Sequence, residues 1–180
     1  MLMRAENACL MIVDVQQRLL TAMDSPRSVM SGCSLMMKAA GVLDVPIVVT
    51  EQYPEGLGPT VEPLAELAPE DAFFSKVHFS SAKTPAIRGK IDTLKPAQIV
   101  IAGIEAHVCV LQTALGFTEQ GYQCFVAADA TSSRSPANHG VAMSRLREAG
   151  VEIVTSEMIV FEWLEKAGTD AFRELSRLLK

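Results

Sequence analysis

The sequence has no CxxC pair, no Cys/His cluster, no long hydrophobic run and no excess of basic residues. Each shortage closes off a class of protein. Its four cysteines (Cys9, Cys33, Cys109 and Cys124) lie far apart, which argues against a zinc site. With no secretion signal in view, free thiols in a reducing compartment are expected, and hence a cytoplasmic location. The first apolar run, Ala8 to Val13, is too short to span a membrane and lacks a signal-like cleavage pattern. Acidic residues outnumber basic ones by 21 to 16, so a formal charge of -5 offers nucleic acid or anionic lipid little attraction. Small molecules and other protein chains are the expected partners. No internal repeat, interdomain linker or low-complexity stretch interrupts the 180 residues, which suffice for one domain, residues 1–180, with a substantial core.

What is present is an alternation of short apolar runs and helix-compatible stretches. Strands are expected at Cys9–Val13, Pro46–Thr50, Ala72–Ser75, Gln98–Ala102, Gln123–Ala127 and Glu152–Thr155. Unbroken apolar runs of this length suit strands covered on both faces, as in a parallel sheet. Helices are expected over Arg27–Val42, Ala106–Gln120 and Pro136–Ala149, with Gly41, Gly121 and Gly150 at their C-terminal ends. The tail from Ser156 to Lys180 reads as two short helices parted near Gly168, and its Phe161, Trp163 and Leu164 as cover for the sheet or for a partner subunit. The fold class is therefore α/β: a doubly wound, mainly parallel six-stranded sheet of Rossmann-like order 3-2-1-4-5-6, with helices on both faces.

In such a sheet, ligands collect beyond the carboxyl ends of the strands, near the point where strand order reverses. Three reactive residues fall there: Asp14 after the first strand, Lys76 after the third and Cys109 just past the fourth. A thiol in a first helical turn meets a positive partial charge and free backbone N–H groups, a setting that favours thiolate. Asp14 is positioned to take the thiol proton, and Lys76 to hold that carboxylate ionised. Each residue also has a plainer reading: Cys109 as a small core side chain, Asp14 as a loop cap, Lys76 as a solvated lysine. Together they form a nucleophile-activation unit. The Lys76 strand stands two positions from the Asp14 strand, about 10 Å, so the lysine has to lean across.

Five segments carry a family likeness: Val13-Asp-Val-Gln16, Thr50-Glu-Gln-Tyr-Pro54, Lys76 after its short strand, Gly103-Ile-Glu-Ala-His-Val-Cys109 and Asp129-Ala-Thr-Ser-Ser-Arg134. In order and spacing the chain resembles the isochorismatase-like cysteine hydrolases, in particular the isochorismatase-domain-containing proteins. The resemblance implies Asp14 as general base, Lys76 as electrostatic partner and Cys109 as nucleophile. It also implies a cis peptide between Ile104 and Glu105, with the backbone N–H groups of Glu105 and Cys109 as the oxyanion hole. A retained cysteine points to carbonyl chemistry on an amide, ureido or related small substrate, through a thioester-type intermediate.

Gln16, Gln52, Tyr53 and His107 are candidate substrate contacts, while Arg134 is expected to pair with a carboxylate. Related nicotinamidases bind a metal through an Asp-x-His pair and a further histidine after the second strand. Glu51–Gly58 contains no histidine, and His78, His107 and His139 are well separated, so neither metal nor cofactor is expected. A homo-oligomer is expected from the family likeness and the apolar tail. Two other roles compete: a non-catalytic binding or assembly module that keeps the fold, and a thiol redox sensor at Cys109.

Overall fold

An apolar strand without alternation needs cover on both faces, and Ala8–Val13 has it: all six residues of this strand, β1, are buried. Five more strands complete the sheet: β2 (Ile47–Gln52), β3 (Phe73–Lys76), β4 (Gln98–Ile104), β5 (Gln123–Ser132) and β6 (Glu152–Val154). Their spatial order is β3-β2-β1-β4-β5-β6 and every pairing is parallel, which is the doubly wound order the sequence predicts. The structure, a computed structural model, describes residues 1–179; Lys180, the last residue of the tail, lies outside them.

The longer helices are α1 (Pro26–Val42), α2 (Pro85–Leu94), α3 (Leu111–Thr118), α4 (Pro136–Glu148), α5 (Ser156–Leu164) and α6 (Asp170–Leu175). They divide between two apolar clusters. Leu10 and Ile12 of β1 join residues of α1, α5 and α6 on one face, while Cys9, Met11 and Val13 join residues of α2, α3 and α4 on the other. The period-two alternation of a strand thus feeds two cores at once. In α1 the buried set Val29, Cys33, Met36, Met37 and Ala40 follows helical spacing, and Pro26 opens the helix where its missing N–H costs nothing.

Several boundaries differ from the sequence expectation. Strand β4 runs on through Gly103 to the buried Ile104, and strands β2 and β5 run on to Gln52 and Ser132, where backbone pairing continues after side-chain hydrophobicity ends. Between β4 and β5 the register jumps, so that Ile101 faces Val126 whereas Gly103 faces Thr131. The intervening β5 residues bulge out, as strands often do beside functional sites. Helix α2 was not expected, although Ile87, Ile91 and Leu94 follow helical spacing and pack into the second core. The stretch expected as one helix over Ala106–Gln120 divides into a π-helical turn, Ala106–Val110, and α3. Gly121 and Gly150 take positive φ beyond their helices, but Gly41 remains inside α1 and Asp44 takes the left-handed position. In the tail, Trp163 and Leu164 are buried in the first core, while Phe161 is 45% exposed. Among the described residues no helix is long and apolar enough to cross a membrane.

Candidate active site

Strands β1, β2, β3 and β4 end side by side, and the sequence places a polar residue at each end. Strand β1 stops at Val13, and Asp14 turns the chain with φ of 54°, a left-handed conformation that aspartate tolerates better than most residues. The close approach of β4 to this turn depends on Gly103. It pairs with Val13 at φ of 115°, and a Cβ there would stand 2.0 Å from the Val13 carbonyl oxygen. No other residue fits without moving the strand that carries Asp14.

Lys76 closes the two-strand gap. The last pair of the β2–β3 ladder is Gln52 with Lys76, and from there the four-carbon stem reaches across the end of β2. Its Nζ lies 2.7 Å from Asp14 Oδ2, and both side chains are fully buried. The other carboxylate oxygen, Oδ1, accepts a hydrogen bond from Thr50 Oγ1 at 2.7 Å. The Lys76 ammonium also donates to Gln52 Oε1 at 2.7 Å and to the Phe79 carbonyl at 3.2 Å. A buried ion pair is tolerated only when its remaining hydrogen-bonding capacity is met, as it is here.

Cys109 sits in the π-helical turn after β4, 5% exposed, with its thiol close enough to interact with both Asp14 and Lys76. Burial, with the Asp14 carboxylate adding to it, pushes this thiol up to about 12, and Lys76 offsets part of the rise. This corrects the expectation of a standing thiolate. Desolvation beside a carboxylate works against the helix-terminal charge and favours the thiol form. Any attack by sulfur must therefore hand its proton to a neighbour. The turn itself has a useful irregularity. The Glu105 carbonyl accepts from the Val108 N–H at 3.1 Å and the Val110 N–H at 3.2 Å, passing over that of Cys109. The Ile104–Glu105 peptide is cis.

The remaining sequence candidates take different places. Glu105 is 7% exposed, and its Oε2 accepts from both the backbone N–H and the Nε of Arg134, each at 3.1 Å, which gives Arg134 its carboxylate partner. His107 Nδ1 lies 2.9 Å from Ser133 Oγ and Nε2 lies 3.4 Å from Asn138 Nδ2, tying the turn that carries Cys109 to the loop after β5 and to the start of α4. Tyr53, 57% exposed at φ of 38°, borders a groove of about 320 Å³ beside Lys76, Val77 and His78. Gln16 and Gln52 are buried, and their amides are engaged by the protein itself.

Thr50 and the acceptor role of Gln52 escaped the sequence reading. The one available signal was the run of three polar residues ending an otherwise apolar strand, Ile47-Val-Val-Thr-Glu-Gln52. Cys9, Cys33 and Cys124 are buried within the cores, with thiols pushed up mainly by desolvation. Among the described residues no three His, Cys, Asp or Glu side chains gather as metal ligands would.

Comparison with known proteins matches residues 8–158 to the isochorismatase domain. Isochorismatase domain-containing protein 2 of Rattus norvegicus is 36% identical over 176 residues, covering 97% of this chain and 82% of the relative. The solved structure of the MAR1 ribonuclease from Caenorhabditis elegans superposes with a TM-score of 0.93 at 32% identity, covering 99% of this chain and 92% of that one. YcaC of Escherichia coli, an octameric hydrolase of unknown specificity, shares the fold with a TM-score of 0.93 at 21% identity, over 98% of this chain and 90% of its own. The parallel sheet of order 3-2-1-4-5-6 and the sequence match over almost the whole chain agree: the protein belongs to the isochorismatase family.

Proposed function

We propose that the protein is a cysteine-dependent hydrolase of small amides, ureido compounds or related carbonyl substrates, and that residues 1–180 act as one catalytic domain. The observation that carries this reading is the buried Lys76–Asp14 pair set against the thiol of Cys109. A thiol held protonated beside a carboxylate suits concerted activation better than a free thiolate does. As sulfur attacks the carbonyl carbon, its proton passes to Asp14 and the carbonyl electrons move onto oxygen. The N–H groups of Glu105 and Cys109 receive that oxyanion. Collapse breaks the C–N bond, and the Asp14 proton leaves with the amine, giving a thioester on Cys109. Water then attacks the thioester with Asp14 taking its proton; the C–S bond breaks, the sulfur recovers the proton and the acid product departs. Lys76 keeps the carboxylate anionic between proton transfers.

Tyr53, exposed beside the groove at Lys76, is the substrate contact of this reading, whereas Gln16 and Gln52 face inward and both ring nitrogens of His107 have protein partners. A ribonuclease reading, suggested by the name of the Caenorhabditis elegans neighbour, sits poorly with a formal charge of -5 and a site lysine engaged by Asp14. The high proton affinity of Cys109 equally disfavours a redox sensor, since ready oxidation needs thiolate. We read the protein as a homo-oligomer, a reading supported by the half-exposed Met158 and Phe161 and by the octamer of the Escherichia coli relative. The test is hydrolysis of a panel of small amides and ureido acids. Turnover that disappears in Cys109→Ala, with the fold retained, is expected; turnover that persists in the variant refutes the mechanism.

A further inference from the structure

Lys76 has three N–H bonds, and the protein supplies three oxygens for them: Asp14 Oδ2, Gln52 Oε1 and the Phe79 carbonyl. No donor is left over for a substrate, so the lysine acts through its charge and its grip on Asp14. What holds the ammonium in place is then a question about Gln52. Its side-chain amide has one workable orientation, because Nε2 donates to the Val77 carbonyl at 2.9 Å. Flipping the amide would set an NH2 group against an ammonium and a carbonyl against a carbonyl. The Gln52 backbone is fixed as well. Its N–H donates to Gln16 Oε1 at 2.8 Å, and its carbonyl accepts from Gln16 Nε2 at 3.0 Å. The same Nε2 donates to the Gly58 carbonyl at 2.7 Å, so Gln16 bridges the turns that follow β1 and β2.

We propose that Gln52 is the positioning residue of the catalytic centre: it fixes the Lys76 ammonium on Asp14 Oδ2, with Gln16 clamping the Gln52 backbone one step behind. The proposal rests on the reading of Asp14, Lys76 and Cys109 as the reacting groups. It moves the two glutamines from substrate contact to frame, and so assigns their effect to the chemical step rather than to substrate affinity. Thr50 holds one carboxylate oxygen of Asp14, and Gln52, through Lys76, holds the other. The carboxylate is thereby fixed at both oxygens before a substrate arrives, the condition for an efficient proton acceptor.

The experiment follows alkylation of Cys109 by iodoacetamide, read by peptide mass spectrometry from pH 6 to pH 10, in wild type, Gln52→Glu, Gln52→Met, Gln16→Met and Asp14→Asn. Far-UV circular dichroism and the urea midpoint report folding alongside. Gln52→Glu sets a second carboxylate against the same ammonium, so sulfur loses its proton less easily. The rate at pH 7.5 is expected to fall about tenfold and the rate–pH curve to move up by about one unit, the two being the same shift. Gln52→Met leaves Lys76 with two partners and is expected to slow the reaction severalfold; Gln16→Met, acting one step away, does the same to a smaller degree. A merely structural role lowers the urea midpoint but leaves the rate–pH curve of the folded protein in place. Wild-type curves in folded Gln52→Glu and Gln52→Met, with the Asp14→Asn curve moved to lower pH, overturn the positioning role alone. An Asp14→Asn curve unmoved from wild type overturns the coupling of Asp14 to the thiol on which its role as base rests, and the positioning role falls with it.

Discussion

Replacing Lys76 with Met removes the charge and keeps most of the stem volume, leaving Asp14 buried with only Thr50 as a hydrogen-bond partner. Breaking a buried ion pair from one side costs about 3–5 kcal/mol, because the surviving charge has neither water nor a counterion. At roughly 2–4 °C per kcal/mol for a chain of this size, the melting temperature falls by about 6–20 °C. Asp14→Asn is expected to cost less. Lys76 then retains Gln52 Oε1 and the Phe79 carbonyl, two acceptors that do not depend on Asp14. The double variant carries no buried charge at this site, so it should recover much of the Lys76→Met loss. Urea unfolding of the four proteins at pH 7 closes a double-mutant cycle. The coupling energy should exceed about 1 kcal/mol, well outside the few tenths found for independent sites. Additive single effects, or a Lys76→Met protein as stable as wild type, refute the picture of a mutually dependent buried pair.

Three further outcomes follow from the same geometry. Gly103→Ala drives a methyl group into the Val13 carbonyl at a positive φ and should cost about 2–4 kcal/mol, whereas Gly41→Ala, in an open helical position of α1, should stabilise by about 0.5–1 kcal/mol; urea midpoints compare them. Thr50→Val strips Asp14 Oδ1 of its donor, with an expected loss of about 1–3 kcal/mol in stability and a slower Cys109 alkylation at pH 7.5. Folding raises the cysteines from an ordinary value of 9.0 to about 12 at Cys9, Cys33 and Cys109 and about 11 at Cys124. The unfolded chain therefore releases thiol protons first, so the contribution is intact below pH 9 and is lost as pH rises towards 12. Unfolding at pH 8, 9 and 10 should show stability falling by up to about 1.4 kcal/mol per pH unit for each cysteine, with a shallower fall in Cys33→Ala. A flat profile contradicts the buried-thiol assignment.

The strand order and the gathering of Asp14, Lys76 and Cys109 were legible because each follows from a local pattern. An apolar run marks a strand, and whatever reactive residue ends it must lie on one edge of a parallel sheet. Partnering across strands was less legible, since it depends on register. That Thr50 reaches Asp14, and that Gln52 faces Lys76 rather than a ligand, follows from the pairing of Val13 with Thr50 and of Gln52 with Lys76. The bulge in β5 and the π-helical turn at Cys109 leave no compositional mark. The upward push on the Cys109 thiol went unforeseen for a related reason. A helix terminus is visible in sequence, but the depth of burial and the nearness of a carboxylate are not.

The most direct test of Asp14 as the base that activates Cys109 maps iodoacetamide adducts over the four cysteines in wild type and in Asp14→Asn. In wild type at pH 7.5, one adduct is expected, on Cys109, at a rate that goes on rising to pH 10 without levelling off, as a thiol near 12 requires. In folded Asp14→Asn the charge that raises the thiol is gone, so alkylation of Cys109 should not slow, whereas hydrolysis of the amide panel should fall at least about 100-fold, the usual contribution of a general base. Preferred labelling of Cys9, Cys33 or Cys124, or undiminished hydrolysis in Asp14→Asn, would contradict the proposed centre.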